Sequence, residues 1–162
     1  KKIMAMHTWF ECKIRYEKVM ENGMQKKVTE PYLVDALSFT EAEARIIEEM
    51  TPFISGEFTV SDIKRANYSE LFPSDEESAD RWFKCKLIFI TLDEKSGAEK
   101  KTSTQVLVQA ADLRDAVKKL DEGMKGTMAD YQIGMVSETP LMDVYPYSAE
   151  PNDKPEFDPA KS

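Results

Sequence analysis

Histidine is almost missing from this chain: His7 is the only one in 162 residues, and cysteine occurs only as Cys12 and Cys85. Nucleophilic triads and most zinc sites need a histidine or a cysteine cluster. Neither chemistry is expected, and His7, ahead of the first expected strand, reads as an ordinary near-terminal residue. Two cysteines are few for a secreted disulfide scaffold of this size. The six glycines form no phosphate-cradling motif. No apolar run approaches a membrane span, and Lys1–Met6 is basic without the apolar stretch of a signal peptide. The expectation is a cytoplasmic protein without cofactor or metal, and not an enzyme. Paired acids such as Glu48-Glu49 read as a solvated helix face. An unrecognised carboxylate-based enzyme stays open as an alternative, because it would need a cleft that sequence cannot show.

What is present is enough to fold. Hydrophobic residues make up 41% and aromatic residues 10%, well above a disordered composition. The net charge of −8 is unevenly placed. Residues 74–80 carry four acids and no base, half of the total. Residues 81–146 balance ten acids against ten bases. An acidic protein is not a general polyanion binder, although a local basic strip remains compatible with that balance.

The strongest feature is a duplication. Trp9-Phe10-Glu11-Cys12-Lys13-Ile14 returns as Trp82-Phe83-Lys84-Cys85-Lys86-Leu87, at an offset of 73. After one inserted residue the offset is 74, and Gly23, Lys26-Lys27, Leu33-Val34 and Met50 meet Gly97, Lys100-Lys101, Leu107-Val108 and Met124. One deletion restores 73, so that Phe58, Val60 and Ile63 face Tyr131, Ile133 and Val136. Two compensating gaps over a whole unit mark an internal repeat. The repeats are 8–73 and 81–146, joined by the acidic connector 74–80 and followed by a Pro-rich polar tail, 147–162, which reads as extended or disordered.

Each copy has the pattern ββαβ. Phe10, Cys12, Ile14 and Tyr16 alternate along a first strand, as do Phe83, Cys85, Leu87 and Phe89. Asn22-Gly23 and Ser96-Gly97 predict hairpin turns. Strand two is expected over 25–37 and 100–110. Ser38-x-x-Glu41 and Asp112-x-x-Asp115 predict helix N-caps. Phe39, Ala42, Ile46, Ile47 and Met50 form one helical stripe; Leu113, Ala116, Val117, Leu120 and Met124 form the other. Pro52 and Gly126 stop the helices. A third strand is expected over 57–65 and 130–137, and a short fourth piece before Pro73 and Pro146. The fold class is α+β: two helices on antiparallel or mixed sheet. A lone repeat buries little, so the copies are expected to pack about a pseudo-twofold axis, sharing a sheet or a helix layer.

The opening Trp9-Phe10-Glu11-Cys12-Lys13-Ile14-Arg15-Tyr16-Glu17 resembles an uncharacterised family of small proteins from Bacteroidetes and their bacteriophages. The resemblance extends over most of 8–146. It implies a cytoplasmic bacterial protein, with a mobile-element or phage setting, and carries over no functional site.

Two binding surfaces are suggested by the residues themselves. The outward side of strand one holds Trp9, Lys13 and Arg15, and in the second copy Trp82, Lys84 and Lys86. A tryptophan beside cations, twice, suggests a stacking platform for single-stranded nucleic acid, with rings on bases and cations on phosphates. Against it stands a structural role for a Trp at a strand start and a solubilising role for the lysines. Ile88, Ile90 and Leu92 lie on the same side and suggest instead a protein interface or a self-assembly surface, with a homo-oligomer as one form. Cys12 and Cys85 are expected to be small buried hydrophobes. The alternative is a thiol pair facing across the pseudo-twofold axis.

Overall fold

A computed structural model describes residues 8–146. His7 and the tail 147–162 lie outside the described residues. The elements run β1 (Thr8–Val19), β2 (Gln25–Ala36), α1 (Phe39–Met50), β3 (Phe58–Ala66), β4 (Glu70–Phe72), β5 (Arg81–Leu92), β6 (Glu99–Ala110), α2 (Leu113–Gly123), β7 (Tyr131–Glu138) and β8 (Asp143–Tyr145). This is the ββαβ pattern twice, each copy ending in a three-residue strand.

The local signals work as their chemistry requires. Gly23 and Gly97 sit at φ +83° and +73°, where a side chain is strained, and so the hairpins turn there. The Ser38 hydroxyl accepts from Glu41 N, and the Glu41 carboxylate accepts from Leu37 N. Asp112 and Asp115 repeat the arrangement with Ala111 N. Each cap satisfies amides that the first helical turn leaves open, worth about 1 kcal/mol. The helical stripes are narrower than the periodicity suggests. Ala42, Ile46 and Met50 are buried, as are Ala116 and Leu120, while Phe39, Ile47 and Leu113 stay 41–52% exposed. A helix of about three turns on one sheet covers only its central positions.

The strands do not share one sheet. They form two four-stranded mixed sheets, in the orders β3-β1-β2-β8 and β4-β6-β5-β7. In each, the long strands pair antiparallel and the short one pairs parallel, β8 to β2 and β4 to β6. Register repeats between the sheets down to an irregularity. A bulge opposite Lys13/Ile14 leaves Ser61 as the extra residue in β3, and one opposite Lys86/Leu87 leaves Gly134 in β7.

The short strands reveal the connectivity. The chain forms two compact units, residues 8–66 with 143–146, and residues 67–142. β4 ends the first repeat in sequence but completes the second sheet. β8 ends the second repeat but completes the first sheet. The repeats are sequence units; the compact units exchange their last strands.

Each exchanged strand is held at its exit by a mid-helix cation. In the first unit Arg45 donates to Asp35 O and, at 3.1 Å, to Pro146 O, just past β8. In the second, Lys119 at the equivalent helix position meets Ser74 Oγ at 3.2 Å and Glu76 at 2.9 Å, just past β4, and pairs with Asp115 at 2.9 Å. The cores lie between helix and sheet: Phe10, Cys12, Ile14, Val34 and Ile46 in one unit, and Phe83, Cys85, Leu87, Val108 and Leu120 in the other. Both cysteines are free and buried. Burial holds the Cys12 thiol up to about 12 and the Cys85 thiol up to about 11, which keeps them protonated and unreactive.

Candidate interaction faces and a buried polar cluster

Register places every outward residue of the two sheets, on the faces away from the helices. In the first unit Trp9, Glu11, Lys13, Arg15 and Glu17 lie along β1. Glu11 stands opposite Lys64, Lys13 opposite Asp62, and Glu17 opposite Lys27. Three of the four cations on this face therefore face an acid across one strand. Arg15 is exposed, Lys13 and Trp9 are half-buried, and the face carries both signs in equal measure.

The second unit is built otherwise. Lys84 stands opposite Leu107 and Ser137, Lys86 opposite Gln105 and Met135, Ile88 opposite Ser103 and Gln132, and Ile90 opposite Lys101. Its acids stand at the hairpin end: Glu99, opposite Leu92, and Asp130, which continues the pairing of β7 opposite Ile90. Lys86 is exposed, Ile88 and Ile90 are half-buried, Leu92 is 68% exposed and Met135 43%. The end of the face near β5's start is closed: Trp82 keeps 5% of its surface and Leu107 none.

The structure thus places the six stacking-platform residues in two unlike settings. Trp9, Lys13 and Arg15 sit on a charge-compensated face. Lys84 and Lys86 sit on a cationic and aliphatic one, with Ile88, Ile90 and Leu92 beside them. Trp82 offers a base no open ring face, and stacking needs one.

A polar cluster lies on the helix-facing side of the first sheet. Glu30, 8% exposed, accepts from Tyr16 Oη at 2.9 Å and Tyr32 Oη at 3.3 Å, and Lys18 Nζ stands 3.4 Å away. Tyr145 of β8 stacks on Tyr32 with ring centroids 6.2 Å apart. Burial, then the bond and charge of Glu30, push Tyr16 up to about 12. Burial and Glu30 raise Tyr32 as well, and burial with Asp143 and Glu49 holds Tyr145 up to about 12. The phenols stay protonated and so can donate to the carboxylate. The second unit has Phe89, Thr104, Val106 and Phe72 at these positions, and no such cluster. Sequence reasoning passed over Glu30, though its inward position was available by counting parity back from Val34.

One cleft of about 690 Å³ is lined by Phe72, Ser74, Lys119 and three acids, Asp75, Glu76 and Glu122; the Lys119 ammonium is held by Ser74, Glu76 and Asp115. One of about 560 Å³ in the first unit is lined by Arg15, Tyr16, Lys27 and Glu57. Among the described residues no three His, Cys, Asp or Glu side chains gather where they could hold a metal ion. No helix among them is long and apolar enough to cross a membrane.

These features define an α+β protein of two similarly built sheet-and-helix units whose most distinctive surface is a sheet face. The chain belongs to the family described as a domain of unknown function, DUF4494, which matches residues 8–147. No curated protein matches it.

Proposed function

We propose that the protein is a non-enzymatic binding module that engages an acidic segment of another protein through the outward face of its second sheet. One observation supports this above others: Lys84, Lys86 and Lys101 share that face with Ile88, Ile90, Leu92 and Met135, no acid stands directly opposite any of the three lysines, and the acids Glu99 and Asp130 are confined to the hairpin end. Lysines without opposing acids favour an anionic partner. The aliphatic side chains between them favour one that is also apolar, which an acidic protein segment is and a phosphate backbone is not. Lysine alone would also meet phosphates, but the covered Trp82 removes the stacking half of single-strand recognition. Two free buried thiols suit a reducing compartment, and the bacterial cytoplasm, in a phage or mobile-element setting, is where we place the module.

The test titrates the full chain at low salt with a short peptide alternating glutamate and valine, and separately with oligothymidylate. Peptide binding that weakens as salt rises, and that falls at least about tenfold in Lys84→Glu/Lys86→Glu with circular dichroism unchanged, is the expected result. Oligothymidylate binding lost in the same variant would make the module a nucleic-acid binder. If neither ligand alters the amide signals of Lys84–Leu92, the face is not a binding surface.

A further inference from the structure

We infer that the partner binds by strand addition, its acidic segment pairing as a fifth strand along the edge of β7 that no strand among the described residues pairs. This rests on the reading of the second sheet as a binding surface and names the mode of contact. β3 and β7 are equivalent edge strands with the same bulge, so any difference between them is written in side chains. An open edge is a template for pairing, and proteins blunt such edges with charge or proline. β3 is blunted: Asp62, Lys64 and Arg65 fall within its nine residues. From Tyr131 to Ser137, β7 carries no charge and no proline, and Ile133 and Met135 are 37% and 43% exposed. Gly134 stands where β3 has Ser61. A Cβ there would come within 2.9 Å of Ile88 Cδ1, so the glycine lets the bulge lie close on β5 while its outer edge stays bare.

Charge chooses the occupant. A second copy pairing antiparallel about Gly134 would set Asp130 of each chain against Glu138 of the other, which opposes self-assembly. An added strand would instead run about 10 Å from β5, two strand spacings away. Glutamates on its outward side beside Met135 and Ser137, at the end of β7 away from Asp130, would then meet Lys84 and Lys86, which stand opposite Ser137 and Met135. Its apolar side chains would fall beside Tyr131, Ile133 and Val136 on the helix-facing side. Backbone pairing supplies the affinity and the alternating side chains the selectivity, as in other strand-addition complexes.

The discriminating probe is the same glutamate–valine peptide made in two N-methylated forms, one carrying the methyl groups on its odd-numbered amides and the other on its even-numbered ones. Both keep every side chain, but each blocks hydrogen bonding along one edge only. Strand addition predicts that one form loses at least about tenfold in affinity while the other binds like the parent, and that the parent slows hydrogen exchange along Tyr131–Glu138. Equal binding of both forms, still lost in Lys84→Glu/Lys86→Glu, would overturn strand addition and leave the binding face standing. Failure of the parent peptide to bind would sink both.

Discussion

The two units follow one plan and spend their polar side chains in opposite places. The first buries a carboxylate under two tyrosines and balances the charges of its outward face. The second fills the buried positions with Phe89, Thr104, Val106 and Phe72 and leaves three lysines of its outward face without opposing acids. A duplicated fold has two copies of every requirement but needs only one copy of a function. Cores and caps are therefore repeated, since each sheet must close over its own helix, whereas the surface is repeated only where solubility demands it. The unit with the plainer core carries the less ordinary surface.

The largest effect that can test this contrast lies in the buried cluster. Tyr16→Phe with Tyr32→Phe strips the hydroxyl donors from Glu30 and leaves a nearly covered carboxylate facing Lys18 alone. An unsatisfied buried charge costs about 2–3 kcal/mol, to be read as a drop in denaturation midpoint. Phe89→Tyr in the second unit should change stability by much less. Equal losses from both variants would mean that the polar cluster is not what distinguishes the first core.

The alkaline limb of stability comes next. Tyr16 and Tyr145 ionise at about 12 in the fold against an ordinary 10. The folded state holds these protons more tightly than the unfolded chain, so their contribution is full below pH 10 and is lost as pH rises toward 12. The Cys12 thiol, also raised, acts in the same direction. Melting followed across this window, together with tyrosinate absorbance, should show stability falling. A variant with phenylalanine at 16, 32 and 145 should show a flatter limb, and an unchanged one would contradict the assignment.

The smallest effect should be shared by both units. Arg45→Ala and Lys119→Ala each remove the grip on an exchanged strand, at about 1–2 kcal/mol. Faster hydrogen exchange is expected at Asp143–Tyr145 for the first variant and at Glu70–Phe72 for the second. If only one strand loosens, the helix cation is not a common device of the fold.

Much of the architecture is legible in the amino-acid sequence itself. The offsets of 73 and 74 located both copies, Asn22-Gly23 and Ser96-Gly97 located the hairpins, and the capping residues started both helices where they begin. These are local signals, set by positive φ and by amides that need acceptors. The three-residue strands were visible as short pieces before Pro73 and Pro146, but their partners were not. Three residues carry no code for which sheet they join, and parallel pairing across a long sequence separation leaves no periodicity. The candidate faces divided the same way. Alternation put Trp9, Lys13, Lys84 and Ile88 on the outward side, whereas the acid opposite Lys13 and the cover over Trp82 depend on register and burial. Glu30 was missed because an acid between Thr29 and Pro31 looks like surface until its strand parity is counted.

The exchange of β4 and β8 bears on how such a chain could have arisen. A single repeat, made alone, carries a last strand that belongs in someone else's sheet and a sheet that lacks its own. It can be completed only by meeting another copy and trading ends, so its folding would rise and fall with concentration. Joining two copies through a short acidic connector turns that encounter into an event within one molecule, independent of protein concentration. The chain is, in this sense, a dimer written as a monomer. Once partnership was guaranteed, the two halves no longer had to present the same surface to the outside.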